Sequence, residues 1–335
     1  MSRARILSTL AELREIKDVW ERIHASGGGS LFQSFAWIEA WTSVVAERQH
    51  GDIRILYVEN DAGCCILPLT IRRRMGFRRL CWLGMEVTDY CDLIGTDHAA
   101  PDFAAFVRAN LPPADTLELR QLRTGSQAAR MFGSSLAPGK AAEACPRIQV
   151  TMCPPYPKDI LYAERRIATV GSLAYHVGQT PAGRAEIVEF VIAEKRAALI
   201  RQDRGTAEFD LLVSPFLRLL PGLSFPGQSR PYFSRLVLDG RTIAGQIGFI
   251  DGNSLLYYLP AFAFGDRTYS PGHLLILHLL RDAARMGLET IDLLRGQEPY
   301  KFKWAQVAEP LGAVDLALTL RGRIFVAARN ARRRF

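Results

Sequence analysis

The run from residue 269 to residue 274 has the composition of an anion-binding turn. It reads Tyr-Ser-Pro-Gly-His-Leu, and it predicts the start of a helix because proline suits the first helical turn and Ser270 can cap it. A helix start gathers amide N–H groups without intrahelical partners and the positive end of the helix dipole. Gly272 would let a phosphate approach the main chain, and we expect the amides of His273 and Leu274 to point at a pyrophosphate. A capped helix that binds nothing is the alternative.

Carboxylates are candidates for removing a proton from an attacking amine or hydroxyl. Asp292 ends a predicted strand, and we rank it first as general base. Asp92 and Glu298 are the other candidates. A carboxylate at a strand end can instead accept hydrogen bonds from neighbouring amides, so a structural role for Asp292 stays open.

Tyrosines and cations complete the set of candidate side chains. Tyr269 or Tyr300 could protonate a leaving thiolate, and Arg295 or Lys301 could hold an acidic acceptor or a phosphate. Together these residue types fit the attack of a nucleophile on a thioester. That reaction requires donor positioning, proton removal and stabilisation of the oxyanion.

No metal site is predicted. His273 and His278 lie five residues apart, so they do not share a helix face, and we expect packing or surface roles for both. The six cysteines all lie in the first half, without CxxC pairs or histidines at metal spacing, and are expected to be reduced packing residues. No P-loop, dinucleotide fingerprint or G-x-S-x-G elbow is found.

The elements that must position these residues are clearest in the second half. Three strands of an antiparallel meander are predicted, because the Asx-Gly steps between them supply the positive φ of tight turns. These strands cover residues 232–238, 242–250 and 255–262. A helix is predicted from Pro271 to Gly287, followed by a short strand at 291–294. A longer helix is predicted over residues 183–202.

The first half predicts an amphipathic helix between Leu10 and Ile23, a glycine break and a second helix near Ser34. A strand, a turn and a strand follow at residues 53–72, and this pattern recurs at 232–250 as a weak internal duplication. The proline-rich stretch 153–157 cannot continue a helix or a central strand. We therefore predict domains at 1–155 and 156–320 and a basic tail at 321–335.

Length and charge agree with a folded protein of two domains, since 335 residues exceed one ordinary core. The net charge of +8 is concentrated in arginine runs at 72–79 and 329–334. It suits an anionic partner: CoA phosphates, an acidic sugar, a membrane surface or RNA. A solvated loop fits the run 72–79 better than a nucleic-acid patch. Neither a secretory signal nor a membrane-spanning run is found, so we expect a cytoplasmic location.

The second half resembles the GNAT superfamily, and specifically its CelD-like branch, named for cellulose biosynthesis. The resemblance covers residues 175–305 and rests on three ordered motifs that follow the meander. They read Tyr269-Ser270-Pro271-Gly272, Asp292-Leu293-Leu294-Arg295-Gly296 and Tyr300-Lys301-Phe302-Lys303-Trp304. Residues 267–272 do not fit the common GNAT turn, Q/R-x-x-G-x-G/A, so an activated acyl donor other than CoA stays open.

The first half also looks like that branch. The matching residues are Phe32-Gln33-Ser34 with Trp37 and Trp41, Leu67-Pro68-Leu69, and Asp89-Tyr90-Cys91-Asp92. Trp37 and Trp41 lie four apart on a predicted helix and could line an acceptor pocket, although core packing is the simpler interpretation. Tandem halves of this kind are also similar to the Fem aminoacyl transferases of cell-wall synthesis.

The resemblance implies an α/β (α+β) chain of tandem GNAT-like domains, each with a mixed, mostly antiparallel sheet flanked by helices. It implies an acyltransferase that takes acetyl-CoA or another acyl-CoA, without a metal, and acylates a sugar or polysaccharide precursor in a cleft between the domains. The residues expected to bind the acceptor are Asp92, Tyr90, Trp37, Arg295, Glu298, Lys301 and Trp304. Two alternatives stay open: a non-catalytic assembly protein of an exopolysaccharide system, and a Fem-like transferase using aminoacyl-tRNA.

Partners follow from the same analysis. We expect a small-molecule or carbohydrate acceptor and no DNA, and we rank tRNA below both CoA and sugar partners. The basic tail at 321–335 suggests peripheral membrane association. The oligomeric state is not predicted.

Overall fold

The computed structural model describes residues 3–27, 29–95, 101–133, 135–136, 143–152, 156–225, 227, 229–263, 265 and 269–332. Three parts of the sequence-based predictions lie outside the described residues: the boundary prolines within 153–155, Arg267 with Thr268, and the end of the arginine run at 333–334. No helix in the described part of the chain combines the length and apolar character that crossing a bilayer requires.

The chain forms two compact units. The first contains residues 1–143 together with 310–335, and the second runs from Ala144 to Glu309. The predicted boundaries at 155/156 and 320/321 do not coincide with these limits.

The pairing of the last strand explains the difference at the second boundary. Strand Gly312–Ala317 pairs with strand Thr116–Leu122 and so returns the end of the chain to the first unit. The segment predicted as a basic tail is largely a helix, Leu320–Arg332, and belongs to the same unit.

The first unit divides its strands between two sheets, ordered β1-β3-β4-β7 and β2-β5-β6-β8-β18-β9. The strands are β1 (Arg3–Leu7), β2 (Asp52–Ile53), β3 (Ile55–Asn60), β4 (Gly63–Leu67), β5 (Leu69–Arg74), β6 (Phe77–Trp82), β7 (Ile94–Gly95), β8 (Thr116–Leu122), β9 (Ser135–Leu136) and β18 (Gly312–Ala317). The helices are α1 (Leu10–Glu15), α2 (Lys17–Gly27), α3 (Phe35–Glu47), α4 (Pro101–Ala109), α5 (Gln127–Phe132) and α11 (Leu320–Arg332).

The second unit has one sheet, ordered β11-β13-β14-β15-β16-β10-β17, with β12 also paired to β14. Its strands are β10 (Ala144–Gln149), β11 (Leu173–Val177), β12 (Arg230–Pro231), β13 (Ser234–Leu238), β14 (Arg241–Asp251), β15 (Ser254–Phe262), β16 (Thr290–Asp292) and β17 (Val307–Pro310). Its helices are α6 (Lys158–Ala168), α7 (Pro181–Arg201), α8 (Ser214–Leu219), α9 (Pro271–Arg285) and α10 (Pro299–Phe302).

The predicted meander is confirmed as β13, β14 and β15. Its first turn carries positive φ at Asp239 and Gly240, and the second carries it at Gly252, as tight hairpin turns require. Helix α9 then packs its apolar face into the core with Leu274 and Leu277, both fully buried. The meander and α9 thus form the frame on which the candidate site is built.

Candidate functional site

Strands β15 and β16 run parallel and then separate. They pair at Ser254↔Thr290, Leu255↔Ile291 and Leu256↔Asp292. Strand β16 ends there, whereas β15 continues to Phe262. The chain after β16 follows β10 instead, because the Leu293 amide donates to the Pro146 carbonyl at 2.9 Å. Among the described residues, the edge of β15 from Tyr257 onward therefore has no strand partner on this side, and its main-chain groups can pair with a ligand.

Helix α9 begins beside the far end of β15. A Cβ atom placed on Gly272 would lie 3.5 Å from the ring of Phe262, the last residue of that strand. Ser270, Gly272 and His273 are all half-exposed, so side chains do not seal this end of the helix. Because Pro271 has no N–H, the Gly272 amide is the first donor of the helix.

The predicted roles of three residues in this turn need correction. Ser270 adopts a left-handed conformation, φ 53° and ψ 50°, and its side chain caps no amide of the helix. Its carbonyl accepts hydrogen bonds from the His273 and Leu274 amides, at 3.0 and 3.1 Å. These two amides are therefore used inside the helix and do not point at a pyrophosphate. Of the main-chain groups predicted to bind an anion, only the Gly272 amide and the positive end of the helix dipole remain available.

A hydrogen bond from Trp304 fixes the tautomer of His273. The indole N–H donates to Nδ1 of His273 at 2.9 Å, which places the imidazole proton on Nε2. Burial lowers the pKa of His273, and nearby Lys303 lowers it further. The imidazole is therefore neutral near pH 7, with its one lone pair occupied, and it can donate from Nε2 but cannot act as a base. Trp304, predicted to bind the acceptor, is buried and supports His273 instead.

Tyr300 lies beside this pair, with its ring edge-on to His273 at 6.2 Å between centroids. Burial raises the pKa of Tyr300, and the Glu298 carboxylate raises it further. Tyr257, fully buried on β15 where the strands separate, has a pKa raised by burial and then by Tyr300. Both phenols stay protonated at physiological pH and are hydrogen-bond donors. Tyr269 packs against the core instead, with the Arg166 guanidinium 5.7 Å from its ring centre.

Asp292, the first-ranked base, is engaged in structural bonds. Its side chain accepts from Arg147 Nε at 3.0 Å and from the Leu294 amide at 2.9 Å. Arg147 lies directly opposite on β10 and also pairs with Glu309 at 2.6 Å. The Leu294 bond holds a residue with φ of 56°. The structure thus supports the alternative in which this carboxylate organises the strand end, because its oxygens already have donors.

The segment after β16 forms a compact ion-paired turn. Lys301 is buried, and its ammonium donates to the Arg295 carbonyl at 2.7 Å and pairs with Glu298 at 3.1 Å. Gly296 has φ of 133°, a conformation that favours glycine, and a Cβ there would lie 2.2 Å from Glu298 Oε2. Burial lowers the pKa of Lys195 on α7, with Glu298 and Lys301 near enough to act on it. Lys301 therefore positions the turn, while Glu298 keeps an exposed carboxylate.

The predicted acceptor residues of the first unit are part of its core. Trp37 is fully buried and donates to Thr88 Oγ1 at 3.0 Å, and Tyr90 is buried against Phe32. Asp92 accepts from the Leu93, Gln127 and Ala128 amides at 2.7–2.9 Å and so caps helix α5. The cavity beside Asp92 measures about 10 Å³, room for one water molecule, which gives no support to a sugar site here.

Three residues near the site were not predicted from the sequence. Arg147 was missed because strand β10 lies next to the proline-rich stretch. The available signal was its position among buried residues, because a charged group in such a strand needs an oppositely charged partner. Tyr257 and Lys195 were assigned only to their strand and helix, because nothing local in their sequence shows what they face. Within the described residues, no group of histidine, cysteine or acidic side chains could hold a metal ion.

Residues 156–302 match the family model of the acetyltransferase (GNAT) domain. This segment of the second unit is therefore a GNAT-type domain, which confirms the coarser part of the resemblance. No curated protein matches the sequence. The CelD-like branch is not identified by any match and stays a prediction.

Solved structures share the fold along nearly the whole chain. The C-terminal domain of a protein assigned as a lysylphosphatidylglycerol synthetase from Agrobacterium fabrum is 12% identical, with a TM-score of 0.56, and the match covers 95% of this chain and 96% of that one. A conserved protein of unknown function from Bacteroides thetaiotaomicron has 12% identity, a TM-score of 0.58 and coverage of 94% and 100%. FemX has 9% identity, a TM-score of 0.54 and coverage of 94% and 97%. The predicted class, α/β with mixed, mostly antiparallel sheets, is confirmed.

Proposed function

Starting from the GNAT-type domain in the second unit, we propose that this protein transfers an acyl group from acyl-CoA, with acetyl-CoA the simplest donor, to an amine or hydroxyl of a sugar or polysaccharide precursor. The observation that carries the proposal is the separation of β15 from β16 beside the start of α9. The open edge of β15 offers main-chain groups to the amides of a pantetheine arm, and the Gly272 amide with the helix dipole offers a place for phosphate.

Glu298 is the proposed base. Of the carboxylates considered, Asp292 and Asp92 already accept from an arginine or from several amides, whereas Glu298 is exposed and pairs with Lys301. In the reaction, Glu298 takes the proton from the acceptor while the freed lone pair attacks the thioester carbonyl. The tetrahedral oxyanion then expels the thiolate, which accepts a hydrogen bond from the neutral phenol of Tyr300.

The test is release of free thiol from acetyl-CoA in the presence of amino-sugar and sugar acceptors. Glu298→Gln should lower kcat by about a hundredfold or more with little change in the KM for acetyl-CoA, because the base acts on the acceptor. Glu208→Gln, at an exposed position elsewhere in the unit, is the matched control. If the protein binds acetyl-CoA but releases no thiol from it in the presence of any acceptor, the result would favour the assembly role and contradict catalysis.

Aminoacyl transfer is the second candidate. Two observations favour it: the net charge of +8, and fold similarity to a protein whose name gives a lysyl-modified phospholipid as its product. Protein-dependent deacylation of aminoacyl-tRNA, with no response to acetyl-CoA, would select this candidate over acyl-CoA chemistry.

A further inference from the structure

Helix α11 turns an apolar face to solvent. Its attached side is defined by Gly322, which is buried, and by Arg329, which pairs with Glu118 and Asp315. At about 100° per residue, Leu320 and Ile324 lie opposite Gly322. They are 74% and 66% exposed. An amphipathic helix of a folded unit normally buries such residues, so this face is unused by the fold.

The β5–β6 hairpin adds a third exposed apolar side chain next to this helix. Phe77 contacts Phe325 of α11, with ring centres 4.7 Å apart, which ties the hairpin tip to the helix. Met75 at that tip is 94% exposed and has φ of 49°. Residues in this conformation are usually glycine or asparagine, so neither burial nor turn geometry accounts for a methionine here.

The hairpin also concentrates positive charge at a cost to its own stability. Arg72 lies directly opposite Arg79, and Arg73 directly opposite Arg78, on the paired strands. Like charges in such positions repel each other. Among the described residues, Arg74, Arg78 and Arg79 have no carboxylate within 4.0 Å. Arg72 and Arg73 pair with Glu86 and Asp52, so the uncompensated part of this cationic strip is Arg74, Arg78 and Arg79.

A cleft connects this strip to α11. It has a volume of about 350 Å³ and is lined by Arg73, Gly76, Arg78, Asp115 and Arg321. The Asp115 oxygens accept from the Arg78 amide at 2.8 Å and from the Thr319 hydroxyl at 2.9 Å, and the single charge of this carboxylate offsets only part of the positive charge of the arginines in the lining. The cleft thus presents guanidinium groups from both the hairpin and the helix to an anion.

We propose that this surface binds a bilayer that contains anionic phospholipids. We call it the basic apolar face and define it by Met75, Leu320 and Ile324 with the arginines at 74, 78, 321 and 323. On the helix, Arg321 and Arg323 flank the apolar residues on either side, the arrangement of a helix that lies in a membrane interface. Leu320, Ile324 and Met75 enter the interfacial region, and the cleft takes a lipid phosphate.

The residue types favour a bilayer over RNA. Binding of single-stranded nucleic acid relies on exposed aromatic rings that stack on bases. The aromatic rings at this surface, Phe77 and Phe325, face each other instead. Phe325 is 37% exposed, whereas the most exposed apolar side chains of this surface, Met75, Leu320 and Ile324, are thioether or aliphatic groups, which partition into lipid.

Co-sedimentation of the full chain with phosphatidylcholine vesicles, with and without phosphatidylglycerol, tests the proposal. The wild type should bind the anionic vesicles at least about tenfold more tightly than the neutral ones, and added salt should weaken this binding. Leu320→Ser with Ile324→Ser should lower binding to anionic vesicles by about tenfold or more. Met75→Ser, fully exposed and so harmless to folding, should lower it in the same direction.

Matched variants separate this surface from general charge and apolarity. Val170→Ser with Ile200→Ser removes apolar groups elsewhere that are more than half exposed, and Arg204→Gln with Arg230→Gln removes exposed arginines elsewhere. Arg78→Gln with Arg321→Gln should weaken binding, whereas both control pairs should leave it unchanged. The proposal is overturned by absent binding to anionic vesicles or by equal losses in the controls. Two other results also overturn it. In one, the Leu320/Ile324 variant converts a dimer of this chain to a monomer while vesicle binding is unchanged. In the other, the Arg78/Arg321 variant no longer binds tRNA while vesicle binding is unchanged.

Discussion

Proton movement in the proposed site depends on which side chains already have partners. Asp292 ranks first as a base from the sequence, yet its two oxygens accept from Arg147 and from the Leu294 amide, and the one free lone pair of the His273 imidazole accepts from Trp304. Glu298 and Tyr300 differ because one is an exposed carboxylate and the other a phenol whose pKa is raised by burial. At the residue scale, therefore, hydrogen-bond partners decide the assignment of roles.

Asp92 gives a pH-dependent prediction at the same scale. Burial raises the pKa of Asp92 from 3.8 to about 6, so the folded first unit binds a proton more tightly than the unfolded chain does. This contribution to stability is fully present below pH 3.8 and is lost as the pH rises through about 6. The free energy of unfolding of the wild type, minus that of Asp92→Asn, should fall by about 1–3 kcal/mol across this window. Urea unfolding at several pH values measures it, and a difference independent of pH would contradict the raised pKa.

At the scale of elements, the local signals were sufficient for much of the second unit. The meander was predictable because Asp239-Gly240 and Asp251-Gly252 specify their turns, and α9 was predictable because Pro271 and the apolar spacing after it specify a helix. The conformation of Ser270 was not predictable, since serine rarely takes positive φ and only the surrounding structure imposes it. The predicted boundary at 320/321 differs from the limit of the second unit because strand β18 pairs with β8, and the residues of these two strands are far apart in sequence.

Docking of α11 gives the prediction that belongs to this scale. A Cβ on Gly322 would lie 1.9 Å from the Asp115 carbonyl oxygen, a main-chain atom that cannot move aside cheaply. Gly322→Ala should therefore destabilise the first unit by about 1–3 kcal/mol, despite the better helix propensity of alanine. Gly205→Ala, where a Cβ meets nothing within 4 Å, is the control. Thermal unfolding compares the two, and a Gly322→Ala variant as stable as the wild type would show that α11 does not dock as described.

At the scale of the whole molecule, each unit carries a different part of the account. The second unit holds the GNAT-type domain and the open strand edge, and the first holds the basic apolar face. Trp37, Tyr90 and Asp92 show why the acceptor could not be predicted: the motif residues of the first half resemble a site, but the fold uses them for packing and helix capping. A sequence pattern identifies residue types. Whether their side chains can contact a substrate depends on their burial and on their hydrogen-bond partners in the fold.

The most direct test of the donor site is acetyl-CoA binding by isothermal titration calorimetry to the wild type, Gly272→Ala and Gly272→Asp. Alanine fits without strain, because its Cβ would be 3.5 Å from Phe262, and aspartate in the first turn is compatible with the helix. We predict equal binding to the wild type and Gly272→Ala, and about tenfold or weaker binding to Gly272→Asp, whose carboxylate repels phosphate. Equal affinity of all three folded proteins, or no binding to the wild type, would contradict an acyl-CoA site at the start of α9.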